Sequence, residues 1–312
     1  MYFMRKTFAM IITVFLVSII TFFAFELIPG DPVLAKLGIN ADQAQIEALR
    51  EELNINKPLA GRYISWVSGI FTGDMGKSIR YDMDVNDIIG QRFSVTFQLS
   101  IMSIIIIIIF GIPLGILAAK YDDNIFGFLI SFITQIGLAI PSFWAGILLI
   151  YLFGLILNLF TAGGYVSWSQ NPLESIKSLF LPALAIAIPN IAVVIRYLKS
   201  SILEEKDKDY TKTALAKGLS SNQVLIFHIL RNAIIPVITI LAMIIAKVLA
   251  GSIVIEQVFT IPGMGRLLIN AISTRDLPLV QGLVFYISII VVMINFLVDI
   301  VYKFIDPRIK LY

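Results

Sequence analysis

Few side chains in this 312-residue sequence could do chemistry. There is no cysteine, which excludes disulfides, thiolate catalysis and cysteine-built metal sites. There is one histidine, His228, so no histidine cluster can hold a metal unless another chain supplies ligands. No nucleophile–base pair can be read around it. The stretch Phe71-Thr72-Gly73-Asp74-Met75-Gly76-Lys77-Ser78 comes close to the phosphate-cradling pattern G-x-x-x-x-G-K-[ST]. Its first position is Phe, however, and no strand precedes it, so nucleotide binding is not expected there. No other segment offers such a loop. What remains are three ionisable residues in apolar surroundings: Glu26, Lys247 and Asp299.

Those surroundings define the class. The chain is 58% hydrophobic and 14% charged, with a mean hydropathy of +0.89. A soluble domain carries roughly 25% charged residues. The apolar residues come in blocks approaching the roughly 20 residues that span a bilayer. Six spans are expected, at about 8–28, 94–119, 126–160, 181–199, 233–255 and 279–304, the third kinked at Pro141. The first run ends in Leu27-Ile28-Pro29-Gly30-Asp31-Pro32 without a small-residue cleavage site, and is read as a retained helix rather than a signal peptide. With the N-terminus inside, more than half of the 24 basic residues fall on inside segments, while the two short outside loops hold only Lys177, Arg266 and Arg275. Both termini are therefore expected in the cytoplasm. The net charge of +3 suggests no nucleic-acid partner.

Two segments lie outside the spans. Residues 29–93 read as a small extracellular cap, with one helix from Asn40 or Asp42 to about Leu53 and a second over Arg62–Phe71. Ile46, Leu49 and Leu53 share a face of the first helix. Residues 200–232 form the longest cytoplasmic loop. Its charges have helical spacing, the pattern breaks at Gly218, and Ser220 or Ser221 can cap a following helix that runs toward Arg231. Read physically, this is a short helix–turn–helix outside the membrane. It could be a solvated loop or a docking surface.

The run Asp209-Tyr210-x-x-Thr213-Ala214-x-Ala216-Lys217-Gly218-Leu219, followed by His228-x-x-Arg231-Asn232-Ala233-x-x-Pro236, resembles the coupling loop of permeases in the oligopeptide, dipeptide and nickel ABC importer family. Further motifs agree in order along the chain: Leu27–Pro32, Gly73–Ser78, Gly111-Ile112-Pro113-Leu114-Gly115, Pro141-Ser142-Phe143-Trp144, Glu256-x-Val258-Phe259-x-x-Pro262-Gly263-x-Gly265, Arg275-Asp276-x-Pro278-x-Val280-Gln281-Gly282 and Asp306-Pro307-Arg308. The resemblance covers nearly the whole chain. Importer loops generally begin Glu-Ala-Ala where this sequence has Lys212-Thr213-Ala214, a departure usual for this branch.

The resemblance implies an all-α integral membrane protein of the type I ABC importer permease fold, divided into 1–28, the cap 29–93, and a core permease domain 94–312. It implies that Asp209, Tyr210, Thr213, Ala214, Ala216, Lys217, Gly218 and Leu219 couple the chain to an ATPase. The chain itself would have no catalytic residue and no cofactor, with ATP and Mg bound by partner subunits. Implied partners are two ATPase subunits, a homologous second permease, an extracellular solute-binding protein and membrane lipid, in the plasma membrane of a prokaryote. Implied cargo is peptides or nickel-, cobalt- or zinc-metallophore complexes, with peptides preferred. Lys247 stands where relatives usually carry a small residue. With Gly251, Pro141 and Phe143 it is assigned to the substrate pathway, where an ammonium would attract carboxylates; the alternative is a pair with Glu26, Asp299 or an acid of a partner. Glu26 and Asp299 are read as structural, and His228 as a packing residue at the ATPase interface. The rival function is an ion-coupled secondary transporter using Lys247, Glu26 and Asp299, which predicts uptake without ATPase subunits. A membrane enzyme or scaffold predicts a phenotype independent of any binding protein.

Overall fold

A computed structural model of the chain describes residues 2–26, 33, 37, 42–52, 57–161 and 163–305. The motifs Leu27–Pro32 and Asp306–Arg308, and Leu53 of the cap, lie outside them, as do the side chains of Glu26, Leu49 and Asp299. Among the described residues the regular structure is helical, with one isolated bridge between Lys77 and Asp84. The helices are α1 (Tyr2–Glu26), α2 (Gln43–Glu52), α3 (Leu59–Thr72), α4 (Val85–Lys120), α5 (Ile125–Ala139), α6 (Ser142–Leu149), α7 (Pro172–Lys206), α8 (Asp209–Ala216), α9 (Ser221–Val224), α10 (Leu230–Gly251), α11 (Ile253–Val258), α12 (Met264–Ser273) and α13 (Leu277–Ile305). A π-helical segment, Ile150–Ile156, continues α6, and another, Leu225–Ile229, joins α9 to α10.

Among the described residues five helices are long and apolar enough to cross a membrane, and a sixth crossing is made if α5 and the helix starting at Ser142 count as one broken span. The break is a 104° bend. Its cause is Pro141, which lacks an amide hydrogen and keeps the preceding residue out of the helical region. Ile140 is accordingly extended, at φ −81° and ψ 121°. The expected kink is thus a full corner.

The helices outrun the apolar blocks that announced them. The block at 181–199 is the middle of α7, which starts at Pro172 rather than 181 by using Asn171 as a cap. The Asn171 side chain accepts from the amides of Leu173 and Glu174 at 3.1 and 3.2 Å. Likewise α4 starts at Val85 rather than 94, so residues 85–93 of the expected cap are the first turns of a long helix. Asn86, Asp87, Gln91 and Arg92 hide it from a hydropathy scan, although Val85, Ile88 and Ile89 are buried.

The chain forms two compact units. The first takes residues 1–96 and 262–296. Its core joins Val85, Ile88 and Ile89 of α4, Leu267 and Ala271 of α12, and Leu279, Val280 and Leu283 of α13. A Cβ on Gly282 would lie 2.6 Å from Val85 Cγ1, so α13 meets α4 at a residue that must be glycine for this approach. The cap helix α3 is held to α1 by Ser18 Oγ and Tyr63 OH, 2.8 Å apart, and by Phe22 against Tyr63 and Trp66 at 5.4 and 5.9 Å.

The second unit takes residues 97–261 and 297–312. Its centre is α7, with Ala183, Ala185, Ala187 and Ala192 buried; such small residues let helix backbones come close. Two glycines of α4 pack against it. A Cβ on Gly111 would fall 2.9 Å from Val194, and one on Gly115 3.0 Å from Leu198, so this face of α4 lies directly on α7. Lys199 of α7 reaches Asp122 at 2.6 Å and Ser131 Oγ at 2.8 Å, tying the α4–α5 turn to the same helix.

Candidate functional site

Helix α8 carries the first candidate residues. Of its eight residues only Thr211 and Ala214, three apart, are buried. They form a narrow inner edge that seats the helix, with Thr211 Oγ1 donating to the Glu205 carbonyl at 2.9 Å. Asp209, Tyr210, Thr213 and Ala216 face outward, as do Lys217, Gly218 and Leu219 beyond it. Tyr210 donates to Glu205 Oε2 at 2.5 Å and accepts from Asn232 Nδ2 at 3.2 Å. One phenol therefore fastens the end of α7 to the start of α10. Lys208 pairs with Glu205 at 2.5 Å, and this hydrogen bond raises the Lys208 ammonium above its ordinary pKa.

The turn at Gly218 is closed on both sides. The Gly218 amide donates to the Leu215 carbonyl at 2.9 Å, and the Leu219 amide to the Ala214 carbonyl at 3.4 Å. This is the Schellman ending, which needs a left-handed residue; Gly218 supplies it at φ +88°. Ser220 then opens α9 through a capping box: Gln223 donates its amide to Ser220 Oγ, and its side chain accepts from the Ser220 amide at 3.0 Å. Of the two serines considered from sequence, Ser220 is the cap. Outside this framework stand the apolar side chains of Leu215 and Leu219, 45% and 36% exposed. No group here can act as nucleophile or base toward another. The surface can bind, and it can move as a body. His228 is exposed in the π-helical turn, its carbonyl accepting from Asn232 Nδ2 at 3.4 Å.

The second candidate set belongs to the same unit but is less connected. Pro141 makes the corner before α6, and Phe143 is 44% exposed just after it. Gly251 ends α10. Lys247 is one turn from that end, not at midspan as the expected limits 233–255 implied, because α10 ends at Gly251. It is exposed, and among the described residues it has no ion-pair partner. It shares an open face of α10 with Met243, 62% exposed. No group of three or more His, Cys, Asp or Glu among the described residues could hold a metal.

Sequence reasoning missed one site. Asp276, fully buried, accepts from Ser78 Oγ at 2.5 Å, from the amides of Ile79 and Arg80 at 3.1 Å each, and from the Leu279 amide at 3.4 Å. It caps α13 and anchors the loop that mimics a nucleotide-binding motif. Ser78 of that motif is committed to Asp276, and Gly73 and Gly76 serve left-handed turns at φ +80° and +82°. The Asp-x-Pro pattern could have revealed the cap; nothing local could have revealed the anchor 198 residues away.

Residues 111–311 match the family described as binding-protein-dependent transport system inner membrane component, and residues 1–100 match its N-terminal companion. The chain belongs to that family of ABC importer permeases. The permease is 38% identical over 295 residues to a putative peptide transport system permease protein of Brucella abortus (95% of this chain, 94% of the relative). It is 37% identical over 313 residues to the dipeptide transport system permease protein DppB of Bacillus subtilis (100% and 98%). It is 36% identical over 312 residues to the oligopeptide transport system permease protein AppB of the same organism (99% and 99%). It is thus an all-α, multi-pass membrane component of a transport system, and a non-enzymatic one.

Proposed function

We propose that this permease is one pore-forming half of a peptide importer, driven by separate ATPase subunits through the elbow of α8 and α9. The observation that carries this reading is the construction of the elbow. A solvated loop needs neither a Schellman ending, a capping box and a tyrosine tie in 24 residues nor two exposed leucines on the outside. A rigid surface of that kind suits insertion into a cleft of a partner. ATP and Mg belong to that partner. The relatives named for peptides, dipeptides and oligopeptides support peptide cargo over a metal chelate.

In this reading the elbow and both termini are cytoplasmic, in the cell membrane, and residues 29–93 form an outer cap that receives cargo from a solute-binding protein. A homologous permease closes the pathway, and ATP-driven closure of the ATPase pair alternates its opening. The test is co-purification and uptake. The tagged permease is expected to bring down an ATPase pair that is lost when Leu215 and Leu219 are both changed to Asp, together with trialanine uptake. Uptake that persists without ATPase subunits would instead indicate ion coupling.

Lys247 is assigned to the pathway because its ammonium is exposed on an apolar helix with no carboxylate among the described residues to neutralise it. Lys247→Ala is expected to lower uptake at limiting peptide roughly 3- to 10-fold, the scale of one partly desolvated ion pair. Unchanged uptake at low trialanine concentration removes Lys247 from the pathway.

A further inference from the structure

The first unit contains a half-open bowl of about 750 Å³ between the end of α1, helix α3, the 73–77 turn and the starts of α4 and α13. That is within the range of small-molecule sites, roughly 300–1,000 Å³. Phe22 and Trp66 line one part of it. Arg62 and Lys77 bring positive charge, and Asp84 and Asp87 bring negative charge. The wall is stiff. Asp74 Oδ1 accepts from the Gly76 amide at 2.8 Å, the Asn86 side chain donates to the Gly73 carbonyl, and Asp276 holds the far end of the loop.

Three of these charges, those of Lys77, Asp84 and Asp87, are not used up in this framework. Lys77 and Asp84 are paired through their backbones, yet their side chains form no ion pair, and among the described residues neither they nor Asp87 have a side-chain partner. Opposite charges thus line one concavity without neutralising each other, above an aromatic wall that also holds a buried Trp66 indole N–H with no acceptor among the described residues. A ligand suited to this surface has an ammonium, a carboxylate and apolar or amide groups between them.

We infer that the bowl is a reception site for a short peptide with free termini, its ammonium at Asp84 and Asp87 and its carboxylate at Lys77. This rests on the peptide reading above and adds a site on the permease itself. The experiment uses the complete transporter in nanodiscs, without its solute-binding protein. Trialanine and N-acetyl-trialanine amide are titrated by saturation-transfer NMR against wild type, Lys77→Gln and Asp84→Asn/Asp87→Asn. Trialanine is expected to bind wild type and to bind both variants at least about tenfold more weakly, the scale of one charge-assisted contact, while the capped peptide binds poorly to all three. The three side chains are exposed, so thermal midpoints should agree, and this is measured alongside. Equal binding of free and capped peptide, equal binding by all three proteins, or no binding to wild type overturns the site. Trialanine uptake by the complete system is scored separately. Uptake without binding at the bowl leaves the peptide reading intact and removes only the site, whereas absence of uptake removes the peptide reading.

Discussion

Replacing Gly218 with Val is expected to cut peptide uptake by about tenfold or more, while Gly218→Asn keeps most of it. The two substitutions meet the same open space, for a Cβ at Gly218 has no heavy atom within 4 Å. They differ only in backbone preference. At φ +88° a β-branched residue is strongly disfavoured, by about 1–2 kcal/mol or more, whereas Asn visits this region readily. Val therefore pulls the turn toward another conformation and releases the bonds from the Gly218 and Leu219 amides. The direction in which α8 points relative to α9 is then no longer fixed. If uptake depends on the elbow as a rigid body, it falls; Val and Asn variants with equal uptake and equal ATPase retention would show that the turn transmits nothing. Both readings should be made on protein of matched membrane abundance, because a loss of folding would mimic a loss of coupling.

The largest stability effect is expected at Asp276. Its truncation to Ala leaves the Ser78 hydroxyl and the amides of Ile79, Arg80 and Leu279 without their acceptor. Each buried orphan donor costs about 1–3 kcal/mol, but the four are coupled and removing a buried carboxyl recovers some desolvation, so about 3–5 kcal/mol is expected in total. Asp276→Asn keeps one acceptor oxygen and should lie between wild type and Ala. Apparent unfolding midpoints of the purified permease at one scan rate provide the measurement. On the scaling of roughly 2–4 °C per kcal/mol for domains of 150–250 residues, Ala should lower the midpoint by about 6 °C or more. An unchanged midpoint would mean that these donors find water, and that the 78–80 loop does not need its anchor.

These two residues also mark what a sequence makes legible. Everything about Gly218 is local. The helical spacing before it, the glycine, and Ser220 three residues ahead of Gln223 spell an ending and a beginning within a dozen residues. The elbow could thus be read before any coordinates, although its partner came from resemblance. Asp276 was visible only as part of a motif, because its main partners lie 198, 197 and 196 residues away. Long-range hydrogen bonds leave no periodic trace. The start of α4 was missed for a different reason. Hydropathy measures what a lipid bilayer will accept, whereas residues 85–93 are buried by protein on one face and polar on the other. The same confusion put Lys247 at midspan: the apolar run continues through Ser252, but α10 does not. The packing of Gly111 and Gly115 is legible in a sequence because small residues four apart make a stripe on one helix face, whatever lies opposite.

The corner at Pro141 also limits what can surround this chain in a membrane. Helix α6 begins there with no side-chain cap, so its first amide groups carry the partial positive end of a helix without a protein acceptor from their own neighbourhood. Hydrocarbon cannot satisfy them, and each exposed to it would cost several kcal/mol. That side of the molecule is therefore closed to acyl chains. Water or another polypeptide has to be the solvent of residues 140–144, at whatever depth of the bilayer the corner lies.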